Sequence, residues 1–182
     1  PPADAAWAVY SLSGRKPRQA VPSKRLGLWA RELAGVSEWL FDQQPTKNLW
    51  RKPVAGMFEL VQEIAARGTP LGIVSNSEGR LAELVAELGW AELFPVVADS
   101  GRLGFEKPDP RIFQWAAERL AVPVHALVHV GDAWEADVVG ALGVGARAIW
   151  FAPTDARDLP ETVGAARSAE QARALLRGHG VL

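Results

Sequence analysis

Residues 126–137 read A-L-V-H-V-G-D-A-W-E-A-D, and the fold turns on how they are interpreted. The run from Ala126 to Val130 is apolar but for His129, which predicts a buried strand, and Gly131-Asp132 predicts the tight turn that ends it. Asp132 and Asp137 then stand just past the C-terminal end of that strand, five positions apart. Hard cations take oxygen ligands, so paired carboxylates in this place suit Mg²⁺.

Working outward, residues 71–77 read L-G-I-V-S-N-S, a second buried strand whose apolar run stops at Ser75. A helix follows with Leu81, Leu84, Val85 and Leu88 on one face, and Ser75 is expected to cap it and to hydrogen-bond an anion there. Residues 104–113, G-F-E-K-P-D-P-R-I-F, place Asp109 at a helix N-cap and Pro110 at its first position, with Lys107 in the loop just upstream. Lys107 is therefore within reach of a neighbouring phosphate. Strands are predicted near 8–12, 71–75, 95–98, 126–130 and 146–151, alternating with helices. That rhythm, with near-continuous apolar strands, argues for an α/β fold whose parallel sheet is covered on both faces. In such sheets a site lies outside the carboxyl ends of the strands, where Ser11, Ser75 and Asp132 all fall.

Taken in order, Ser75, Lys107, Gly131-Asp132 and Asp137 closely resemble the second, third and fourth motifs of the haloacid dehalogenase-like (HAD) superfamily, over about residues 53–151. The resemblance implies a Rossmannoid three-layer sandwich with a central parallel sheet and a helical cap. It also implies roles: Ser75 binds a transferring phosphoryl group, Lys107 balances charge around it, and Asp132 with Asp137 holds Mg²⁺. Residues 54–68 and 137–151 supply the helix before the second motif and the completion of the fourth. Asn76 and Trp134 are candidate ligand contacts beside these positions.

The first motif of the family is an apolar strand ending in D-x-D-x-T, with a nucleophilic first Asp and an acid/base second Asp. Residues 7–16 read W-A-V-Y-S-L-S-G-R-K, which places Ser11 at the nucleophile, Ser13 at the acid/base and Arg15, a third candidate ligand contact, at the Thr. Asp4 and Asp42, the two aspartates upstream of Ser75, are followed two positions on by Ala6 and Gln44. A serine hydroxyl is neutral at pH 7 and a poor Mg²⁺ ligand, and positioned acid/base assistance is typically worth ~10²- to 10⁴-fold. The altered pocket loses two carboxylates and gains a guanidinium, so Mg²⁺ binding is expected to be weakened and anion holding favoured over transfer.

Three functions compete on this reading. The first is a catalytically degenerate HAD-like protein that binds an anionic ligand or a protein partner. The second is a Mg²⁺-dependent phosphatase acting on small phosphorylated metabolites, and the third, weakest reading is a haloacid dehalogenase proper.

The implied organisation is a core of residues 1–14 and 53–182 with a reduced cap at 15–52. One helix is predicted over 24–41, with Leu28, Trp29, Leu33, Val36 and Leu40 as its apolar stripe. Residues 5–31 carry no acid but six bases, Arg15, Lys16, Arg18, Lys24, Arg25 and Arg31, which read as a solvated face. Three of the eight tryptophans, Trp29, Trp39 and Trp50, cluster in the cap, and if exposed would suit a homodimer or protein partner. His129 on its buried strand reads as a hydrogen-bonded core residue. Ser168 with Gln171 predicts a capping box opening a last helix, reached from Pro153 by a linker.

Composition bounds the rest. A chain of 182 residues, 48% hydrophobic, can bury one sizeable core. A net charge of −1 gives no pull toward nucleic acid, and no cysteine is present for disulfides or thiolate metal sites. No apolar run spans a bilayer and none reads as a signal peptide, so a cytoplasmic protein without a membrane partner is expected. The chain opens on Pro1, so a processed or trimmed start is expected.

Overall fold

The structure is a computed structural model and describes residues 53–153 and 155–182. The strand expected at 8–12, with Ser11, Ser13 and Arg15, and the cap at 15–52, with Trp29, Trp39 and Trp50, lie outside the described residues.

The described elements run α1 (Met57–Ala66), β1 (Gly72–Ser75), α2 (Leu81–Glu87), β2 (Val96–Asp99), α3 (Ser100–Leu103), α4 (Pro110–Arg119) and β3 (Val128–Gly131). A π-helical turn, Trp134–Val139, then continues into α5 (Gly140–Gly143), followed by β4 (Arg147–Phe151), β5 (Val163–Ala166) and α6 (Ala169–Gly178). Every strand pairing is parallel: β1 with β2, and β3 with β4 with β5. Among the described residues no strand joins β1 to β3.

Helices cover both faces, as parallel strands require. Strand β4 displays the alternation that follows from a two-residue period. Ala148 and Trp150 join one apolar cluster with Ile112, Phe113 and Ala116 of α4 and Val138 of the π turn. Ile149 points the other way, into a cluster with Leu60 and Ile64 of α1 and Ala172 and Leu176 of α6. Trp150, Phe113, Leu60, Ile112 and Ile149 are fully buried, and each such side chain is worth roughly 1.5–3 kcal/mol by its transfer from water.

Local signals behave as read for the helix starts. Asp109 caps α4 by accepting from Arg111 N at 2.9 Å, with Pro110 at the first helical position. Ser168 Oγ accepts from Gln171 N at 3.3 Å, and Gln171 Oε1 in return accepts from Arg167 N at 2.7 Å, closing the box one residue earlier than the usual reciprocal bond.

Two expectations change. Ser75 caps no helix: α2 begins only at Leu81, its N-cap residue is Arg80, and the acceptor for Leu81 N is the distant carboxylate of Asp99, at 2.9 Å. The stretch read as a linker after Pro153 leads into a further strand, β5, whose four residues V-G-A-A are too short and too small to announce themselves by periodicity. Gly164 in that strand admits the side chain of Leu175, since a Cβ there would lie 2.7 Å from Leu175 Cδ1.

Candidate active site

Two carboxylates, Asp99 and Asp137, are the buried polar or charged residues among those described, and each organises one half of the site. Asp99 ends β2, in register with Ser75 at the end of β1. Its Oδ1 accepts from Gly79 N at 2.9 Å and Gly101 N at 3.0 Å, and its Oδ2 from Leu81 N. Ser100 adds a reciprocal pair, accepting from Ser77 N at 3.0 Å and donating to Ser77 O at 3.1 Å. The loop that follows Ser75 is thus clamped onto the end of β2. Gly101 permits the approach, because a Cβ there would meet Gly79 N at 2.4 Å. Sequence reasoning missed Asp99; its signal was the D-S-G that follows an apolar strand, a turn-forming and capping composition.

Asn76, the residue after Ser75, reaches the third motif. Its Nδ2 donates to Lys107 O at 2.9 Å and its Oδ1 accepts from Lys107 N at 2.8 Å. Both ends of the amide are therefore spent on holding the Lys107 backbone, which is followed by a cis peptide bond to Pro108. The Lys107 ammonium donates to Asp137 Oδ1 at 2.5 Å, and this ion pair is nearly dry, with 11% and 4% of the two side chains exposed. One lysine consequently ties the end of β1 to the loop beyond β3.

Asp137 takes two further bonds. His129 Nε2 lies 2.9 Å from Oδ1, and Ala133 N donates to Oδ2 at 2.9 Å. An ionised carboxylate only accepts, so the His129 proton sits on Nε2. Burial opposes ionisation of Asp137, but the His129 hydrogen bond and the Lys107 charge outweigh it and hold the carboxyl well below the usual carboxylate range. His129 also packs edge-on against Phe113, with ring centroids 5.2 Å apart, as a bonded core residue should. Gly131 makes the cluster possible, because a Cβ there would lie 2.2 Å from Asp137 Cγ.

Asp132 is exposed on the turn after β3, and its carbonyl accepts from Trp150 Nε1 at 3.0 Å, which anchors the turn to β4. Trp134 stacks edge-on against Trp150 at 4.8 Å and carries the Arg157 guanidinium 4.2 Å above its ring, so its contacts are an aromatic and cationic packing unit beside the turn. Among the described residues no cluster of three or more metal-ligating side chains forms. The donor set nevertheless fits Mg²⁺ in its usual sparse manner, in which one or two carboxylates act with water and substrate phosphate. Asp132 offers a free carboxylate for this, and Asp137, with both oxygens engaged, stands behind it.

The structure thus gathers Asn76, Lys107 and Asp137 into one bonded chain and sets Ser75 and Asp132 at the strand ends it connects. A fixed ammonium, a hydroxyl at a strand end and an exposed carboxylate can hold a phosphoryl oxygen set and its counter-cation.

The chain is similar to several known proteins. It is 31% identical over 129 residues to the haloacid dehalogenase-like hydrolase domain-containing protein 3 of Mus musculus, covering 71% of this chain and 51% of that protein. It is 32% identical over 159 residues to the phosphoserine phosphatase of Thermus thermophilus, covering 81% of this chain and 62% of that enzyme. The chain therefore spans about half to three fifths of the length of these relatives. The fold matches the crystal structure of a HAD phosphatase from Thermococcus onnurineus, with a TM-score of 0.64 and 24% identity over 83% of this chain and 70% of that one. A family model matches residues 20–145, beginning beyond Ser11, Ser13 and Arg15, so it lends no support to the alignment of those three on the first motif. With the second, third and fourth motifs inside that match and joined through Lys107, the chain belongs to the haloacid dehalogenase-like hydrolase family.

Proposed function

We propose that the site binds the phosphoryl group of a small phosphorylated molecule beside Mg²⁺, and that the chain as it stands holds this group without hydrolysing it. The observation that carries the reading is the Asn76–Lys107–Asp137 chain, which holds one nearly dry ammonium at the strand ends. Ser75 would donate its hydroxyl to a phosphoryl oxygen, and Lys107, already oriented, would offer its remaining protons to the same anion. Asp132 would ligate the cation, which supplies charge neutralisation between phosphate and carboxylate when bound. Hydrolysis through an aspartyl-phosphate needs an anionic oxygen in line with the phosphorus. On the sequence alignment that place belongs to Ser11, whose hydroxyl has no base within the motif to take its proton.

A second reading, a Mg²⁺-dependent phosphatase, is favoured by two observations: the family match begins at residue 20, after Ser11, and a phosphoserine phosphatase is among the relatives. In that case a carboxylate reaches the site by a route other than the alignment of residues 7–16.

Two measurements test the pair. Inorganic phosphate with Mg²⁺, at ten times its dissociation constant, should stabilise the protein by about 1.4 kcal/mol, or roughly 3–6 °C in Tm. Ser75→Ala and Lys107→Ala should abolish that shift, and an unchanged shift in both would defeat the binding assignment. Mg²⁺-dependent hydrolysis of an aryl phosphate should be absent in the parent and present in a Ser11→Asp, Ser13→Asp variant. Turnover by the parent that survives Ser11→Ala and dies with Asp132→Ala would establish the phosphatase reading instead.

A further inference from the structure

The hydrogen bonds on Asp137 limit what that carboxylate has left for an ion. Each oxygen of an ionised carboxylate accepts at two lone-pair positions. Oδ1 takes both the Lys107 ammonium at 2.5 Å and His129 Nε2 at 2.9 Å, which fills it. Oδ2 takes Ala133 N at 2.9 Å and keeps one position open. Asp137 is therefore left with a single bond to offer a cation or its water, and from one oxygen.

The two donors on Oδ1 reach it from different elements. Lys107 comes from the loop before α4, with its backbone fixed by both ends of the Asn76 amide. His129 comes from the middle of β3, whose neighbouring residues Val128 and Val130 pack into the cluster of Leu60, Ile64 and Leu176. The imidazole lies on the opposite face, edge-on to Phe113 of the other apolar cluster, where an aliphatic side chain would pack as well. A polar ring in that place loses hydration, and its Nε2 proton recovers a partner in Asp137. The strand also makes the donor rigid, because His129 is paired in register with Ala148 of β4.

We propose that His129 sets the ion selectivity of the site: by filling the second lone pair of Asp137 Oδ1 it confines Asp137 to one bond, which favours Mg²⁺ over Ca²⁺. The two ions ask different things of their ligands. Mg²⁺ keeps several waters and binds through one or two carboxylates, which Asp132 and the open position on Asp137 supply. Ca²⁺ takes about six to eight oxygens, uses carboxylates through one or both oxygens, and favours ligands that adjust to it. With His129 in place, Asp137 offers neither the second oxygen nor the freedom to turn. Without it, one position opens on each oxygen and the carboxylate is pinned by one donor fewer. His129 is thus a positioning residue that acts on the ion through Asp137. The inference rests on the reading of Asp132 and Asp137 as the cation site.

The test is calorimetric titration of Mg²⁺ and of Ca²⁺, separately, into the parent chain and into His129→Leu, His129→Gln and His129→Asn. Leucine fills the space of the ring and donates nothing, glutamine carries an amide N–H to about the place of Nε2, and asparagine carries one too short to reach Asp137. His129→Leu should tighten Ca²⁺ relative to Mg²⁺ by about tenfold, a small part of the range that ligand number and rigidity span in calcium sites. His129→Gln should restore the parent ratio. His129→Asn should follow His129→Leu, and carries the comparison if the leucine variant shows no cooperative thermal transition. An unchanged ratio in both donor-free variants would overturn the inference by showing that the ring only packs. A glutamine variant shifted as far as the leucine one would overturn it too, since the proton would then be irrelevant. Binding of neither ion by any of the proteins, or binding undiminished by Asp132→Asn, would remove the cation-site reading itself and the inference with it.

Discussion

Gly131→Ala tests whether the buried carboxylate cluster is the element that makes the glycine necessary. An alanine Cβ would lie 2.2 Å from Asp137 Cγ and 2.5 Å from both its Cβ and its Oδ2. Carbon atoms in contact settle near 3.5–4.0 Å, so Asp137 must retreat by roughly 1.3 Å or more. Its bonds to Lys107, His129 and Ala133 N stand at 2.5, 2.9 and 2.9 Å, and a shift of that size along any of them breaks it. Breaking a buried charge pair costs about 3–5 kcal/mol, and the steric cost is relieved by the same movement rather than added to it. At about 2–4 °C per kcal/mol for a chain of this size, Tm should fall by roughly 6–20 °C at pH 7. The acid limb supplies an independent check. Folding depresses the Asp137 pKa, so its contribution is full above the unfolded carboxylate value, near ~3.9, and is lost as pH falls through the lower folded value. The gap between parent and variant should therefore stay wide from neutral pH down to that value and close below it. Thermal unfolding followed by circular dichroism across that range reads both. A Tm within about 2 °C of the parent at pH 7, or a gap that acid leaves untouched, would refute the argument.

Three further outcomes are expected. Asp99→Ala strips the acceptor from Gly79 N, Leu81 N and Gly101 N, and should cost about 3 kcal/mol or more while speeding amide exchange over residues 77–81; slow exchange there would show that the loop holds itself. Ser168→Ala removes the cap of α6 and should cost about 0.5–2 kcal/mol in denaturant unfolding with an unchanged m value. Gly164→Ala presses a Cβ to 2.7 Å from Leu175 Cδ1, the mobile end of a side chain, and should cost only about 1–3 kcal/mol; a substantially larger loss would mean that α6 cannot yield.

Much of the site could be read from the sequence because its pieces are local. An apolar strand that stops at a polar residue predicts its own end, and β1 and β3 end at Ser75 and Gly131 as the runs 71–75 and 126–130 imply within a residue. Asp109-Pro110 and Ser168 with Gln171 make their bonds within four positions of chain, so composition suffices to place them. Ser75 was misread for the complementary reason. A serine before a helix resembles a cap, but the acceptor at the start of α2 comes from Asp99, eighteen residues beyond Leu81.

The sequence by itself determined the alternation of strands and helices, the positions of the motif residues and the family, since each rests on periodicity, short-range bonding or ordered spacing. Tertiary structure alone decided what those residues do to one another. It gave both oxygens of Asp137 to Lys107, His129 and Ala133, turned the Asn76 amide onto the Lys107 backbone, made Asp99 a clamp and added β5 to the sheet. Such contacts join residues tens of positions apart, and their energies depend on burial and direction, which exist only once the chain has packed.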